Sequence, residues 1–206
     1  MYKRGVEYCI FNSLLKNYPV FNLGDIGNFK SGYGFKNSYQ GYLSLPIPFF
    51  KVSDMNNAEN NIIMRTANNY ISESMALELK INPFKEKSIV FAKVGAALFK
   101  ERKRIVDAPF IIDNNMMAFS LTSNIVFDYV FSFFNAIKLS NYTQTGALPS
   151  LNSSDLAKVK IPIPSTKFQN KIARIMCNLE KKINCELETL KLIKSYKSVL
   201  LQQMFM

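Results

Sequence analysis

TKFQNKIARIMCNLEKKINCELETLKLIKSYKSVLLQQM, residues 166–204, contains neither glycine nor proline. Its apolar residues Phe168, Ile172, Ile175, Leu179, Ile183, Leu187, Leu190, Ile193, Leu200 and Met204 recur at helical spacing. Pro162 and Pro164 cannot sit inside a helix, and Ser165 or Thr166 can cap the first turn with Gln169 placed for a capping box. The reading predicts one helix of about 39 residues, roughly 58 Å at 1.5 Å per residue. Such a helix outruns a small domain, so its apolar seam needs another helix. Ile175, Leu179, Ile183 and Leu187 step by four three times. That stutter favours antiparallel or bundle-like pairing over a parallel zipper. Folding back across its own domain is the competing expectation.

Residues 1–163 read differently, as short apolar runs broken by Gly, Pro and Asn. Residues 6–18 and Ser72–Leu79 read as helices, the first stopped by Pro19, the second capped by Ser72. Phe21–Ile26, Phe49–Val52, Ser88–Val94, Phe110–Ile112 and Met116–Leu121 have strand length, and Ile125–Leu139 reads as a buried helix. Strands mixed with helices in no regular βαβ rhythm predict an α+β domain over residues 1–163, with the long helix in 164–206.

Composition narrows the chemistry. The 206 residues include 17 Phe and 10 Tyr, too many for a disordered chain, and no His or Trp. A His-dependent triad, a His-ligated metal and imidazole acid–base catalysis are therefore excluded from this chain alone. Lys and Arg number 26 against 15 Asp and Glu, a net +11 that points to a polyanionic partner. Cys9, Cys177 and Cys185 lack metal or redox spacing and read as thiols of a reducing cytoplasm. The apolar run 125–139 is interrupted by Asp128, Asn135 and Lys138, so no membrane span is expected.

Catalytic motifs are weak. Gly32-Tyr33-Gly34 lacks the third glycine of a dinucleotide loop, and Asn82-Pro83-Phe84 is one proline short of an amino-methyltransferase loop. Glu101-Arg102-Lys103 has the Glu-x-Lys spacing of metal-dependent nucleases, but Asp107 and Asp113 follow it where the partner aspartate should precede. Charge placement says more. Residues 85–104 carry Lys85, Lys87, Lys93, Lys100, Arg102, Lys103 and Arg104 against Glu86 and Glu101. The Lys100–Arg104 knot is expected at a loop or hairpin tip, where it can neutralise phosphates. The glycine turn with Tyr33, Lys36 and Asn37 is a second candidate, offering Lys to phosphate and Asn to a base edge.

With these elements in hand, the chain resembles half of the specificity (S) subunit of a type I restriction-modification enzyme. The resemblance rests on Thr145-Gly146-Ala147-Leu148-Pro149-Ser150-Leu151, Asp155-Leu156 and Val159-Lys160-Ile161-Pro162-Ile163-Pro164, then Gln169, Ile172-Ala173 and the closing Leu200-Leu201-Gln202-Gln203-Met204-Phe205. Asn22-Leu23-Gly24-Asp25-Ile26, Ile47–Met55, Ile71-Ser72-Glu73-Ser74 and Val94-Gly95-Ala96 follow the family order. Phe168 stands before Gln169 where the family commonly has Glu.

The resemblance implies a non-catalytic DNA-specificity component without its own cofactor. Its single target-recognition domain (1–163) would read one half of a bipartite double-stranded target. The helix (164–206) would pair with a second copy or another half and dock methyltransferase (M) subunits, and through them a restriction (R) subunit. S-adenosylmethionine, ATP and Mg²⁺ would belong to those partners. Tyr33, Lys36, Asn37, Lys93, Lys100, Arg102, Lys103 and Arg104 are the DNA-contact candidates, chosen from chemistry. Ile172, Ile175, Leu179, Ile183, Leu187, Leu190, Ile193, Leu200 and Met204 form the expected interface seam. Two alternatives remain: a coiled-coil adaptor whose basic domain binds an acidic protein, and a small nuclease using Glu101 and Lys103.

Overall fold

The structure, a computed structural model, describes residues 2–144 and 148–204, with side chains described for 8–144 and 148–203. Thr145-Gly146-Ala147, Phe205 and the side chain of Met204 thus lie outside the described residues. The order is α1 (Tyr2–Asn17), β1 (Val20–Asn22), α2 (Leu23–Ile26), β2 (Gly27–Ser31), β3 (Ile47–Phe50), β4 (Tyr70–Ile71), α3 (Glu73–Glu78) and β5 (Ser88–Ala92). There follow β6 (Lys103–Val106), β7 (Ile111–Ile112), β8 (Met116–Leu121), α4 (Phe127–Ala136), β9 (Thr143–Gln144), β10 (Ser150–Leu151), α5 (Ser153–Ala157), β11 (Lys160–Pro162) and α6 (Thr166–Met204). The fold is α+β with a long C-terminal helix.

An antiparallel sheet ordered β2-β8-β5-β6 forms the frame. Its central strands are buried on both faces, so alternate residues feed two cores. Ile89, Phe91, Met117 and Phe119 face α4, α1 and the root of α6, where Phe11, Tyr129, Val130, Phe134 and Met176 complete the larger cluster. Val90, Met116 and Ala118 point the other way, toward Phe50, Met64, Phe110 and Ile112. Each large buried side chain contributes roughly 1.5–3 kcal/mol. A second, three-stranded sheet, β4-β3-β7, pairs β3 antiparallel to β4 and parallel to β7, and carries Ile47, Phe49, Ile71 and Ile111 in a third cluster.

One expected strand is corrected. Residues 21–26 leave extended structure at Asn22, because the Asp25 carboxylate accepts from the Asn22 amide and side chain at 2.9 and 3.0 Å and closes a helical turn at Leu23–Ile26. The other runs form strands or helices where expected, most of them trimmed at their ends, while α1 starts earlier, at Tyr2, and β3 is shifted toward the N-terminus, to Ile47–Phe50. Ser72 caps α3, its hydroxyl accepting from the Met75 amide at 3.2 Å.

The long helix has 39 residues. Its entry differs from the expected capping box. Gln169 is buried and bridges instead: its Oε1 accepts from the Val126 amide at 2.9 Å and its Nε2 donates to the Pro164 carbonyl at 2.8 Å. Phe168, just before it, stacks on Tyr18 with ring centroids 5.6 Å apart. Ile172, Ala173 and Met176 are buried against the domain, which removes Ile172 from the exposed seam. Ile175 is already exposed, Leu179 and Ile183 are half-buried, and residues 185–203 are exposed throughout. Leu187, Leu190, Ile193 and Leu200 show 52, 46, 59 and 59% of their surface. The helix is rooted in its own domain for three turns and then leaves it. No described helix is long and apolar enough to cross a membrane.

Candidate nucleic-acid interface

Sheet register brings the two basic regions to one end of the frame. Ser31 pairs with Met117, Met117 with Phe91, and Phe91 with Lys103, a single row across β2, β8, β5 and β6. Three strand spacings put the row's ends about 14 Å apart. From this end emerge the glycine turn, Lys93 and the β5–β6 connection. Lys93 bridges toward the turn, its Nζ donating to Ser31 Oγ at 3.2 Å.

Gly32 is sterically obligatory. A Cβ there would lie 2.1 Å from the Asp113 carbonyl oxygen and 2.2 Å from that of Ile112, while one on Gly34 would meet nothing within 4 Å. Tyr33 is half-buried between two cores, its amide donating to the Ile112 carbonyl at 2.9 Å and its hydroxyl to the Asn82 carbonyl at 3.3 Å. Phe35 stacks on buried Phe49 at 3.7 Å. The Gly41 amide donates to the side chain of buried Asn69 at 2.9 Å. The loop is thus pinned at both ends, with Lys36 and Asn37 exposed between the pins.

The Lys100–Arg104 knot is not one solvated tip. Leu98–Lys100 forms a 3-10 turn, Glu101 takes a left-handed conformation at φ 54°, and Lys103 and Arg104 already belong to β6. Lys103 is buried, its ammonium 2.6 Å from Glu101 Oε2 and 3.0 Å from the Ile137 carbonyl it donates to. Glu101 also accepts from the Leu139 amide at 3.0 Å and the Ser140 amide at 2.9 Å, so both its oxygens are committed. Burial alone would raise its carboxyl; Lys103 and the Ser140 contacts outweigh burial and hold it below the ordinary value. The Glu-x-Lys spacing therefore builds a clasp between the β5–β6 connection and the end of α4. Among the described residues no cluster of three acidic or cysteine side chains is placed to hold a metal ion.

Arg102 donates to Asn56 Oδ1 at 2.5 Å. Arg104 Nε donates to the Asn60 carbonyl at 2.6 Å. Burial lowers the Arg104 guanidinium from its usual value, the nearby Arg102 charge lowers it further, and Glu180 of α6 opposes them. Lys100, Arg102, Arg104, Asn135 and Glu180 line a cleft of about 240 Å³ at the root of α6. Lys100 is exposed and Arg102 partly so. Of the sequence candidates, then, the structure leaves Lys36, Asn37 and Lys100 open, Lys93 and Arg102 partly open, and puts Tyr33, Lys103 and Arg104 to internal use. Asn82-Pro83-Phe84 is structural as well, with Phe84 buried and stacked on Phe110 at 4.9 Å.

Sequence reading missed the groups beneath the loop. Lys51 Nζ donates to Gln40 Oε1 at 3.1 Å, and Gln40 Nε2 donates to Asn37 Oδ1 at 3.0 Å. Asp54 and Asp113 are buried near Lys51; burial raises both carboxyls and the Lys51 charge partly offsets it. A lysine directly after the apolar Ile47–Phe50 run was the available signal.

Residues 16–195 match the type I restriction modification DNA specificity domain. The chain belongs to that specificity family. It is 24% identical over 192 residues to the specificity subunit of the type I restriction enzyme MjaIX from Methanocaldococcus jannaschii, a match covering 92% of this chain and 44% of that protein. The chain thus spans less than half the length of this relative. Its fold is similar to the HsdS subunit from Thermoanaerobacter tengcongensis, with TM-score 0.61 at 12% identity over 89% of this chain and 45% of that one. The type I restriction-modification S subunit from M. genitalium gives TM-score 0.53 at 14% identity over 82% and 40%.

Proposed function

We propose that this chain works as a half specificity subunit. Its globular part, residues 1–163, binds one half of a bipartite double-stranded DNA target, with Lys36, Asn37, Lys93, Lys100 and Arg102 as its contacts. Residues 164–206 pair with a second copy and dock methyltransferase subunits, and through them a restriction subunit, in the cytoplasm. The observation that carries this reading is the seam of Leu187, Leu190, Ile193 and Leu200, which is exposed beyond the point where α6 leaves its own domain. Four large apolar side chains left in water on one helix are a liability that a second helix removes. Two-fold pairing sets two identical readers at opposite ends, so the target is an inverted repeat with unread base pairs between its halves.

Selection from randomised duplexes, with the mass of the purified chain measured in solution, tests the proposal. Enrichment of an inverted repeat by a dimer supports it. Binding without any enriched sequence favours the basic adaptor, and a strict monomer that ignores added methyltransferase subunits overturns the assembly.

A further inference from the structure

The loop carrying Lys36 and Asn37 is held by a directional chain of hydrogen bonds whose polarity starts at Lys51. An ammonium has only donors, so the carboxamide facing it must turn its oxygen inward. Gln40 does this, accepting from Lys51 Nζ with Oε1, and its Nε2 is thereby aimed at Asn37 and the Phe35 carbonyl, at 3.0 and 3.3 Å. Asn37 in turn must face Gln40 with its own oxygen. Its amino group has no bonding partner among the described residues and belongs to an exposed side chain. Beneath Lys51, the Asp54 carboxylate accepts from the Lys51 backbone amide at 2.8 Å. Asp54 and Asp113, 0 and 5% exposed, lie close enough to feel the Lys51 charge and give the cation a reason to stay in place.

We propose that Lys51, acting through Gln40, is a positioning residue that fixes Asn37 with its amino group outward, so that this position reads a hydrogen-bond acceptor on a base edge. The inference rests on the DNA-reading function proposed above and deepens it. In the major groove the acceptors are purine N7, guanine O6 and thymine O4, whereas cytosine N4 and adenine N6 present donors. A pinned loop with one orientation of its amide discriminates between these; a freely turning amide does not.

The test uses the full chain and the duplex that the wild type enriches from a random pool. Lys51→Met is expected to lose about tenfold in discrimination between that duplex and a scrambled one, with the log–log salt dependence unchanged, and Lys51→Arg to retain it. Gln40→Glu is the sharper variant and lies outside the buried core. Its carboxylate still accepts from Lys51 but can only accept from Asn37, which turns the Asn37 oxygen outward. Reselection with Gln40→Glu should change preference at one base position per half-site, from an acceptor edge to a donor edge. An unchanged selected sequence with Gln40→Glu overturns the proposal. So does a Lys51→Met variant whose affinity falls equally for both duplexes with a shallower salt slope, because Lys51 would then be a phosphate contact. A wild type that enriches nothing defeats the DNA reading itself and takes this inference with it.

Discussion

The Lys103 ammonium sits 2.6 Å from the Glu101 carboxylate in a pair whose side chains are 1 and 3% exposed. Two residues that the sequence offers as surface chemistry thus close the joint between the β5–β6 connection and the end of α4. Removing one partner leaves the other charged and buried. Glu101→Gln and Lys103→Met should each destabilise the domain by about 3–5 kcal/mol, read as a lower denaturant midpoint.

The same pair carries a pH signature. The Glu101 carboxyl is held below its unfolded value of 4.5, so its stabilisation is complete above that pH and is lost as the pH falls through the lower folded value. The stability gap between wild type and Glu101→Gln should therefore be widest near neutral pH and shrink below pH 4.5. Asp54 and Asp113, raised by burial, run the other way: their ionisation costs stability as pH rises through their folded values. The gain from Asp54→Asn should be absent in acid and appear toward neutrality. Urea titrations across that range measure both.

Gly32→Ala should cost about 2–4 kcal/mol, since the new methyl meets two backbone carbonyls that cannot both withdraw. Gly34→Ala, with open space around it, should stay within about 0.5 kcal/mol. Thermal unfolding of the two variants side by side separates steric need from general turn chemistry.

Leu190→Lys combined with Ile193→Lys should convert a dimer to a monomer in light scattering while leaving the unfolding of the domain unchanged, because neither side chain touches the domain core. Loss of domain stability in that variant would show that the distal helix serves the globule instead.

Lys100→Ala and Arg102→Ala together should flatten the log–log salt dependence of DNA binding by about 0.9 for each phosphate contact removed. Lys158→Ala, a control on an exposed i,i+3 surface pair, should leave the slope unchanged.

Much of the architecture was legible in the chain. The unbroken apolar run Ile89-Val90-Phe91 marks a strand buried on both faces, and the seam of α6 follows from steps of three and four. The site was harder to read, because its decisive contacts are long in sequence. Nothing near Lys103 announces that Ile137 and Ser140 wait beside its clasp, and nothing near Asn37 points to Lys51. A basic run records charge but not direction: Lys100 points to water, Lys103 to the core, and Arg104 to the Asn60 carbonyl. Gln169 shows the same limit, since its spacing fits a capping box while its actual partners are Val126 and Pro164.

That glutamine clamp has a geometric corollary. By locking the first turns of α6 to α4 and to the chain at Pro164, it makes the helix a rigid spoke with a set bearing. Each residue inserted into the free stretch 185–203 would advance a paired domain by about 1.5 Å and swing it by about 100°. Few insertions restore the original azimuth, seven residues coming within about 20° of two full turns. In an assembly paired through α6, the gap between half-sites would therefore be revised in coarse notches rather than residue by residue.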